Sequence, residues 1–172
     1  MSYCFEDTRE GDYDLNDVVI KAYRIDETTI EYRIVACGAF DEVAIYGLNV
    51  PSIDGKEVHG LFGVENPKTF INTNGSDYGY VSSGQIKVNK EFTFVDNGPR
   101  PSIKDLTTGE IVGLSEVGQA PHGIMIPTDF KYPKEKVCIT KAYLNFGKWA
   151  ADKDYLSTKW YNDEPVKGTV VE

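Results

Sequence analysis

The most regular hydrophobic pattern along the chain lies at residues 18–36. Val18-Val19-Ile20-Lys21-Ala22-Tyr23-Arg24-Ile25 and Thr29-Ile30-Glu31-Tyr32-Arg33-Ile34-Val35-Ala36 are rich in β-branched and aromatic residues, and Asp26-Glu27-Thr28 separates them. Apolar and polar positions largely alternate in both runs, the period of a half-buried strand, so they predict a long antiparallel hairpin. Shorter runs of similar character predict strands over residues 43–50, 68–72, 84–88, 91–95, 123–126 and 136–140. Turn formers punctuate the chain between them: Asp54-Gly55, Asn66-Pro67, Asn74-Gly75, Asp96-Asn97-Gly98-Pro99 and Thr108-Gly109. Helix is expected only as one or two turns over 143–151, and 97–119, with Pro99, Pro101 and four Gly, reads as a long exposed loop or insertion.

Short strands with Gly and Pro distributed between them suit an all-β fold, an antiparallel β-sandwich of jelly-roll-like character with very little helix. The length of 172 residues fits one such domain, and 41% hydrophobic residues with eleven Tyr and eight Phe provide a core without a disulfide scaffold. Cys4, Cys37 and Cys138 are too few and too scattered for a disulfide framework or a zinc site, and read as reduced thiols packed like small hydrophobes. No stretch reaches the roughly 18 apolar residues of a membrane span, so direct membrane insertion is not expected. No secretory leader precedes the acidic segment, so an export signal is expected upstream of this sequence.

Charge changes the picture in one place. The net charge is −9, which disfavours nucleic acid as a partner, and residues 6–17 hold six acids (Glu6, Asp7, Glu10, Asp12, Asp14, Asp17) against Arg9 alone. Asp12, Asp14 and Asn16 place oxygens at alternate positions, with Tyr13 and Leu15 between them free to turn toward a core. Calcium takes about six to eight hard oxygen ligands, and such a loop supplies them compactly. Two carboxylates about 5 Å apart repel by about 3 kcal/mol at an effective dielectric near 20, so gathering several requires a cation. The run resembles the first half of an EF-hand loop, yet Asp17 stands where that loop has Gly and its closing Glu is missing. The expected ligands are Glu6, Asp7, Asp12, Asp14, Asn16 and Asp17 around Ca2+, with only one of the neighbours Glu6 and Asp7 reaching the ion directly, because adjacent residues of an extended chain face opposite ways. Magnesium and zinc suit this donor set less well, and His59 and His122 read as polar residues in turns or at strand edges.

These residues carry a family resemblance. Phe5-Glu6-Asp7 followed by Gly11-Asp12-Tyr13-Asp14-Leu15-Asn16-Asp17-Val18-Val19 is similar to the opening signature of the LruC-type C-terminal domain of exported bacterial proteins. A second signature resembles the same family: Pro121-His122-Gly123-Ile124-Met125-Ile126-Pro127, Phe130-Lys131-Tyr132-Pro133-Lys134-Glu135, Ala142-Tyr143, Phe146, Trp149 and Trp160-Tyr161. The resemblance implies an extracellular or outer-membrane-surface β domain whose acidic motif binds calcium. His122, Asp129 or Glu135 could approach the ion from a distant loop, although Pro121, Pro127 and Pro133 read more simply as strand punctuation.

The expected function is a non-catalytic module in which a structural calcium rigidifies the acidic loop for display at a cell surface. A carbohydrate-binding or adhesive role is the alternative, with Tyr78, Tyr80, Trp149, Trp160 and Tyr161 as the aromatics for a glycan or another surface protein. An enzyme is not expected. No GxSxG elbow or phosphate loop occurs, and nothing in the sequence marks a carboxyl with a raised pKa.

Overall fold

In the computed structural model, residues 1–8, 11–74, 77–116, 118–152 and 159–172 are described. Arg9 and Glu10 of the acidic run and Gly75 of the Asn74-Gly75 turn lie outside them. Among the described residues, eight strands form two antiparallel sheets. Strands β1 (Ser2–Phe5), β2 (Val18–Asp26), β3 (Thr29–Ala36), β5 (Val81–Lys87) and β8 (Gly123–Ile126) make a five-stranded sheet in the order β5-β3-β2-β1-β8. The second sheet has the order β4-β6-β7, from β4 (Val43–Tyr46), β6 (Ser102–Asp105) and β7 (Ile111–Val112). The fold is an all-β sandwich, and its helices are short: α1 (Val58–Leu61), α2 (Ile139–Ala142) and α3 (Phe146–Ala151), with a 3-10 turn at Trp160–Asn162.

Each face of the larger sheet has its own core. Tyr3, Phe5, Val18, Ile20, Ala22, Ile30, Tyr32 and Ile34 point toward Val43, Ile45, Ile103 and Val112 of the smaller sheet. Cys4, Val19, Ala36, Ile124 and Ile126 point the other way, onto Phe130, Tyr132, Ile139, Tyr143, Phe146 and Trp160 of the C-terminal segment. Trp160, only 1% exposed, centres this second core, with Phe146 at 4.8 Å and Tyr143 at 5.5 Å between ring centroids. A bulge makes the double coverage possible at the end of β3. Val19 pairs with Ala36 while Ile20 pairs with Ile34, so Val35 has no ladder partner and the facing of the strand reverses between Ile34 and Ala36.

The hairpin at 18–36 forms as expected, and β8 coincides with the 123–126 run. Other expectations changed because backbone donors are used elsewhere. Residues 136–140 make no strand: Lys136 N donates to Asp14 Oδ2 and Ile139 N to the Tyr13 carbonyl, so the segment closes over the acidic loop and then enters α2. At 91–95 the chain turns, with Thr93 N donating to Asn97 Oδ1 and Asp96 N to Thr93 Oγ1. In 68–72 only Ile71 bridges, to Cys37. The 43–50 run stops at Tyr46, where Gly47 (φ 87°) turns the chain and Asp54 takes the Leu48 and Asn49 N–H groups. Within 97–119, read from sequence as a loop, β6 and β7 complete the smaller sheet. All three cysteines are free, and Cys4 and Cys37 are buried. His59, expected in a turn or at a strand edge, is instead fully buried in α1, with Nδ1 2.6 Å from Glu57 Oε1.

Candidate metal centre

Residues 6–17 connect β1 to β2, and Phe5 and Val18 face each other in the last pair before the loop. Both ends of the acidic run are therefore held at one strand spacing, about 5 Å. Asp7 N donates to Asp17 Oδ2 at 2.6 Å and closes the neck of the loop. Inside it, Tyr13 (φ 55°) and Leu15 (φ 56°) are left-handed, a conformation that costs a side-chain-bearing residue about 1 kcal/mol or more. Both are held by what they meet. Leu15 is buried in the aromatic core, and the Tyr13 ring lies 5.3 Å from that of His122. The carboxylates of Glu6, Asp12 and Asp14 converge, one oxygen of each lying within 4.8 Å of the others.

Gly11 is required for this convergence. A Cβ there would stand 1.8 Å from Glu6 Oε1, so any side chain would displace the carboxylate. Backbone donors fix the rest: Leu15 N donates to Glu6 Oε2 at 3.2 Å, Asn16 N to Asp14 Oδ1 at 3.1 Å and Lys136 N to Asp14 Oδ2 at 2.7 Å. Glu6 is 2% and Asp14 1% exposed, whereas Asp12 faces solvent. Among the described residues no Lys or Arg side chain forms an ion pair with any of the three.

The energetic result is a crowd of carboxylates without a counter-charge among the described residues. Burial, reinforced by Asp12, pushes Glu6 up to about 7 against the donors from Leu15 and Tyr13. Burial and the Asp12 charge push Asp14 up to about 8. Asp17 is raised well above the ordinary carboxylate range by burial and then by Asp7, and Asp7 is raised by burial as well. Raised carboxyls are thus present where the sequence marked none. Neutralisation can come from protons or from a cation, and three convergent carboxylates are a donor set of the hard-oxygen kind that calcium takes.

Of the six ligands expected from sequence, the structure brings Glu6, Asp12 and Asp14 together. Asp7 and Asp17 are joined to each other at the neck. Asn16 sends Nδ2 to the Pro133 carbonyl at 3.1 Å, while its Oδ1 faces Gly38 and Glu135. His122 contributes its carbonyl to Glu6 N and its ring to Tyr13, and Asp129 pairs with Lys21 far from the loop. Sequence reasoning missed Gly38, which Asn16 Oδ1 approaches, and the backbone of Lys136, which donates to Asp14. Neither has a local signal, because each reaches the loop from more than 20 residues away.

Two of the comparisons with known proteins find a match. Residues 115–161 match a family described as a domain of unknown function (DUF4842), a stretch that contains the second sequence signature. No curated protein matches the sequence. Among solved structures, the chain is similar to a candidate lipoprotein from Bacteroides ovatus, with a TM-score of 0.64 and 12% identity, over 99% of this chain and 74% of that one. At that identity the likeness concerns the fold, and it extends over both sheets and the C-terminal aromatic core.

Proposed function

We propose that this chain is a non-catalytic, extracellular or cell-surface module in which calcium, held by Glu6, Asp12 and Asp14, pins the β1–β2 loop onto the sandwich. The observation that carries this reading is the burial of two mutually close carboxylates with no basic partner among the described residues. A structural ion there would tie β1, β2 and the 133–139 segment together through Asp14. Catalysis by the same acids is disfavoured, because neither Asp14 nor Glu6 is open to a substrate. The two signatures at residues 5–19 and 121–161 support an LruC-type domain. The likeness to a candidate lipoprotein supports an exported, surface location, and no helix among the described residues is long and apolar enough to cross a membrane.

Calorimetric titration of chelator-treated protein tests the calcium reading. Heat of binding is expected, with a melting temperature that rises by roughly 5–10 °C when calcium is about a hundredfold above Kd, since an ion bound only to the folded chain then stabilises it by about 2.7 kcal/mol. Neither heat nor a shift at millimolar calcium would end the proposal.

A second reading, glycan binding, draws on a different region. A groove of about 640 Å³ is lined by Tyr23, Arg33, Asp77, Tyr80 and Asp129 among others, with Tyr80 55% exposed and the Arg33 guanidinium 4.6 Å from its ring centroid. Aromatic rings beside charged hydrogen-bonding groups suit a sugar. Trp160 takes no part, being a core residue. A glycan array comparing the protein with Tyr80→Ala decides this reading, because binding that is absent or unchanged by the substitution removes it.

A further inference from the structure

Strand β8 forms one edge of the larger sheet, and the hydrogen-bond alternation along β1 shows where that edge is open. Ala22 N donates to the Met1 carbonyl and Glu6 N to the His122 carbonyl, so odd-numbered residues of β1 bond to β2 and even-numbered ones to β8. Ser2 and Cys4 therefore bond to Ile126 and Ile124, and the N–H and C=O of Gly123 and Met125 turn outward. Gly123 is answered within the chain: its carbonyl accepts from Ser115 N at 2.8 Å, and its N–H donates to Ser115 Oγ at 3.2 Å. Nothing among the described residues bonds to the outward pair of Met125. A cavity of about 170 Å³ lies against this edge, lined by Leu114, Ile124, Met125, Trp149 and Ala150. Leu114 and Met125 belong to the core between the sheets, whereas Ile124, Trp149 and Ala150 belong to the aromatic core on the other face. Both cores thus reach the surface at β8.

We propose that the open β8 edge binds an extended peptide segment of a partner protein, whose main chain pairs with Met125, whose large apolar side chains fill the cavity, and whose acidic residue meets Arg100. Main-chain pairing holds such a segment, and pockets for its side chains select it. Successive side chains of an added strand point to opposite faces, so one extends the core at Leu114 and Met125 and the next the core at Ile124 and Trp149. Ser115 already fills the preceding position on the edge, so the peptide prolongs a pairing that the chain itself begins. Charge selects the acidic residue. Arg100 lines the same cavity, forms no ion pair among the described residues, and acts on the phenol of Tyr3, the ladder partner of Met125. Glu116 follows Ser115 at the Gly123 end, so the acid belongs at the Met125 end alone. Calcium plays no part in this contact.

The test pans a phage-displayed library of random peptides, about twelve residues long to span the edge, against the whole chain, with Arg100→Glu as the counter-target. Arg100 is exposed, so the variant is expected to fold. Enriched peptides are expected to carry an acidic residue and large apolar residues in a β-forming context. Their synthetic versions should shift the Met125 amide resonance and bind Arg100→Glu at least about tenfold more weakly. N-methylation at one peptide amide should abolish binding, which separates strand pairing from simple apolar contact. No enrichment over the variant overturns the proposal, as do shifts confined to other residues or an affinity indifferent to N-methylation at every position. A Met125 amide already protected from hydrogen exchange in the free chain overturns it as well: in a dimer the edge belongs to a second copy, and in a monomer to the chain itself.

Discussion

The outer face of the β2–β3 hairpin and the β1–β2 loop both carry many charged side chains, and they treat them in opposite ways. On the hairpin every carboxylate has a local answer. Glu31 receives Arg33 Nε at 2.6 Å, and this bond holds its pKa below the usual range. Asp26 is lowered by the Thr28 backbone and the Thr29 hydroxyl, and Asp129 pairs with Lys21. In the loop, Glu6, Asp14 and Asp17 are more deeply buried, meet no basic side chain among the described residues, and are all raised. The difference separates a surface whose charges are settled within the chain from one that needs a charge supplied from outside. Only the second is a candidate for a ligand.

The largest expected contrast is in pH dependence. In the calcium-free folded chain Glu6 holds its proton to about 7 and Asp14 to about 8, while in the unfolded chain both lose theirs near 4. The native state therefore binds more protons between these limits, and stability falls as pH rises through that window. Raising the pH from 5 to 8 is expected to cost several kcal/mol, or roughly 10 °C in melting temperature, reversing the usual acid lability. Calcium takes the place of the protons, so the loaded chain is expected to lose this slope, and calcium affinity should weaken as pH falls below about 7. Thermal melts with chelator and with calcium across this range check it. A calcium-free chain that gains stability toward pH 8 would show that these acids are not crowded in solution.

Asp14→Ala comes next in size. It removes the carboxylate that touches both the loop and the 133–139 segment, and calcium affinity is expected to fall at least about 100-fold, equivalent to about 2.7 kcal/mol. Titration of the variant provides the number, and an affinity within threefold of wild type would place the ion elsewhere.

Gly11→Ala sharpens the same point with a smaller change. Its methyl group would meet Glu6 Oε1 at 1.8 Å, so the Glu6 carboxylate must turn away from Asp12 and Asp14. A loss of about tenfold in calcium affinity is expected, about 1.4 kcal/mol, with little change in the calcium-free melting temperature because the crowding is relieved as the ligand is lost. Equal destabilisation with and without calcium would mean that Gly11 serves the backbone rather than the site.

The two regions also differed in how legible they were in the sequence. The hairpin could be read directly, because alternation at 18–25 and 29–36 reports a face buried by one neighbouring layer. Strand β1 could not. Ser2 to Phe5 are all buried, since the strand is central with both faces covered, and four residues without alternation carry no period. The acidic residues were legible as a class through their spacing and charge, and Leu15 as a residue turned into the core. Their division into Glu6, Asp12 and Asp14, a closed neck at Asp7 and Asp17, and Asn16 turned away was not legible. That division follows from Gly38, Pro133 and Lys136, which reach the loop only through tertiary packing and a β3 bulge that no local pattern announces.

The smallest effect is expected on the hairpin face, and it limits how far the contrast extends. Glu31→Gln removes the charge paired with Arg33 but leaves an oxygen that can still accept from it and from Ser82. Arg33 also rests between Tyr23 and Tyr80, 4.7 and 4.6 Å from their ring centroids, so its position does not depend on Glu31 alone. Surface ion pairs are worth about 0.2–1 kcal/mol and are screened by salt, and this half-buried pair lies toward the upper end. The substitution is therefore expected to lower the melting temperature by no more than about 3 °C, to shrink further at high salt, and to leave calcium binding unchanged. A double-mutant cycle with Arg33→Ala, run with and without calcium, measures the coupling. A coupling energy that changes with calcium would mean that the two surfaces communicate through the β2–β3 hairpin, and the division between self-settled and externally settled charge would have to be redrawn.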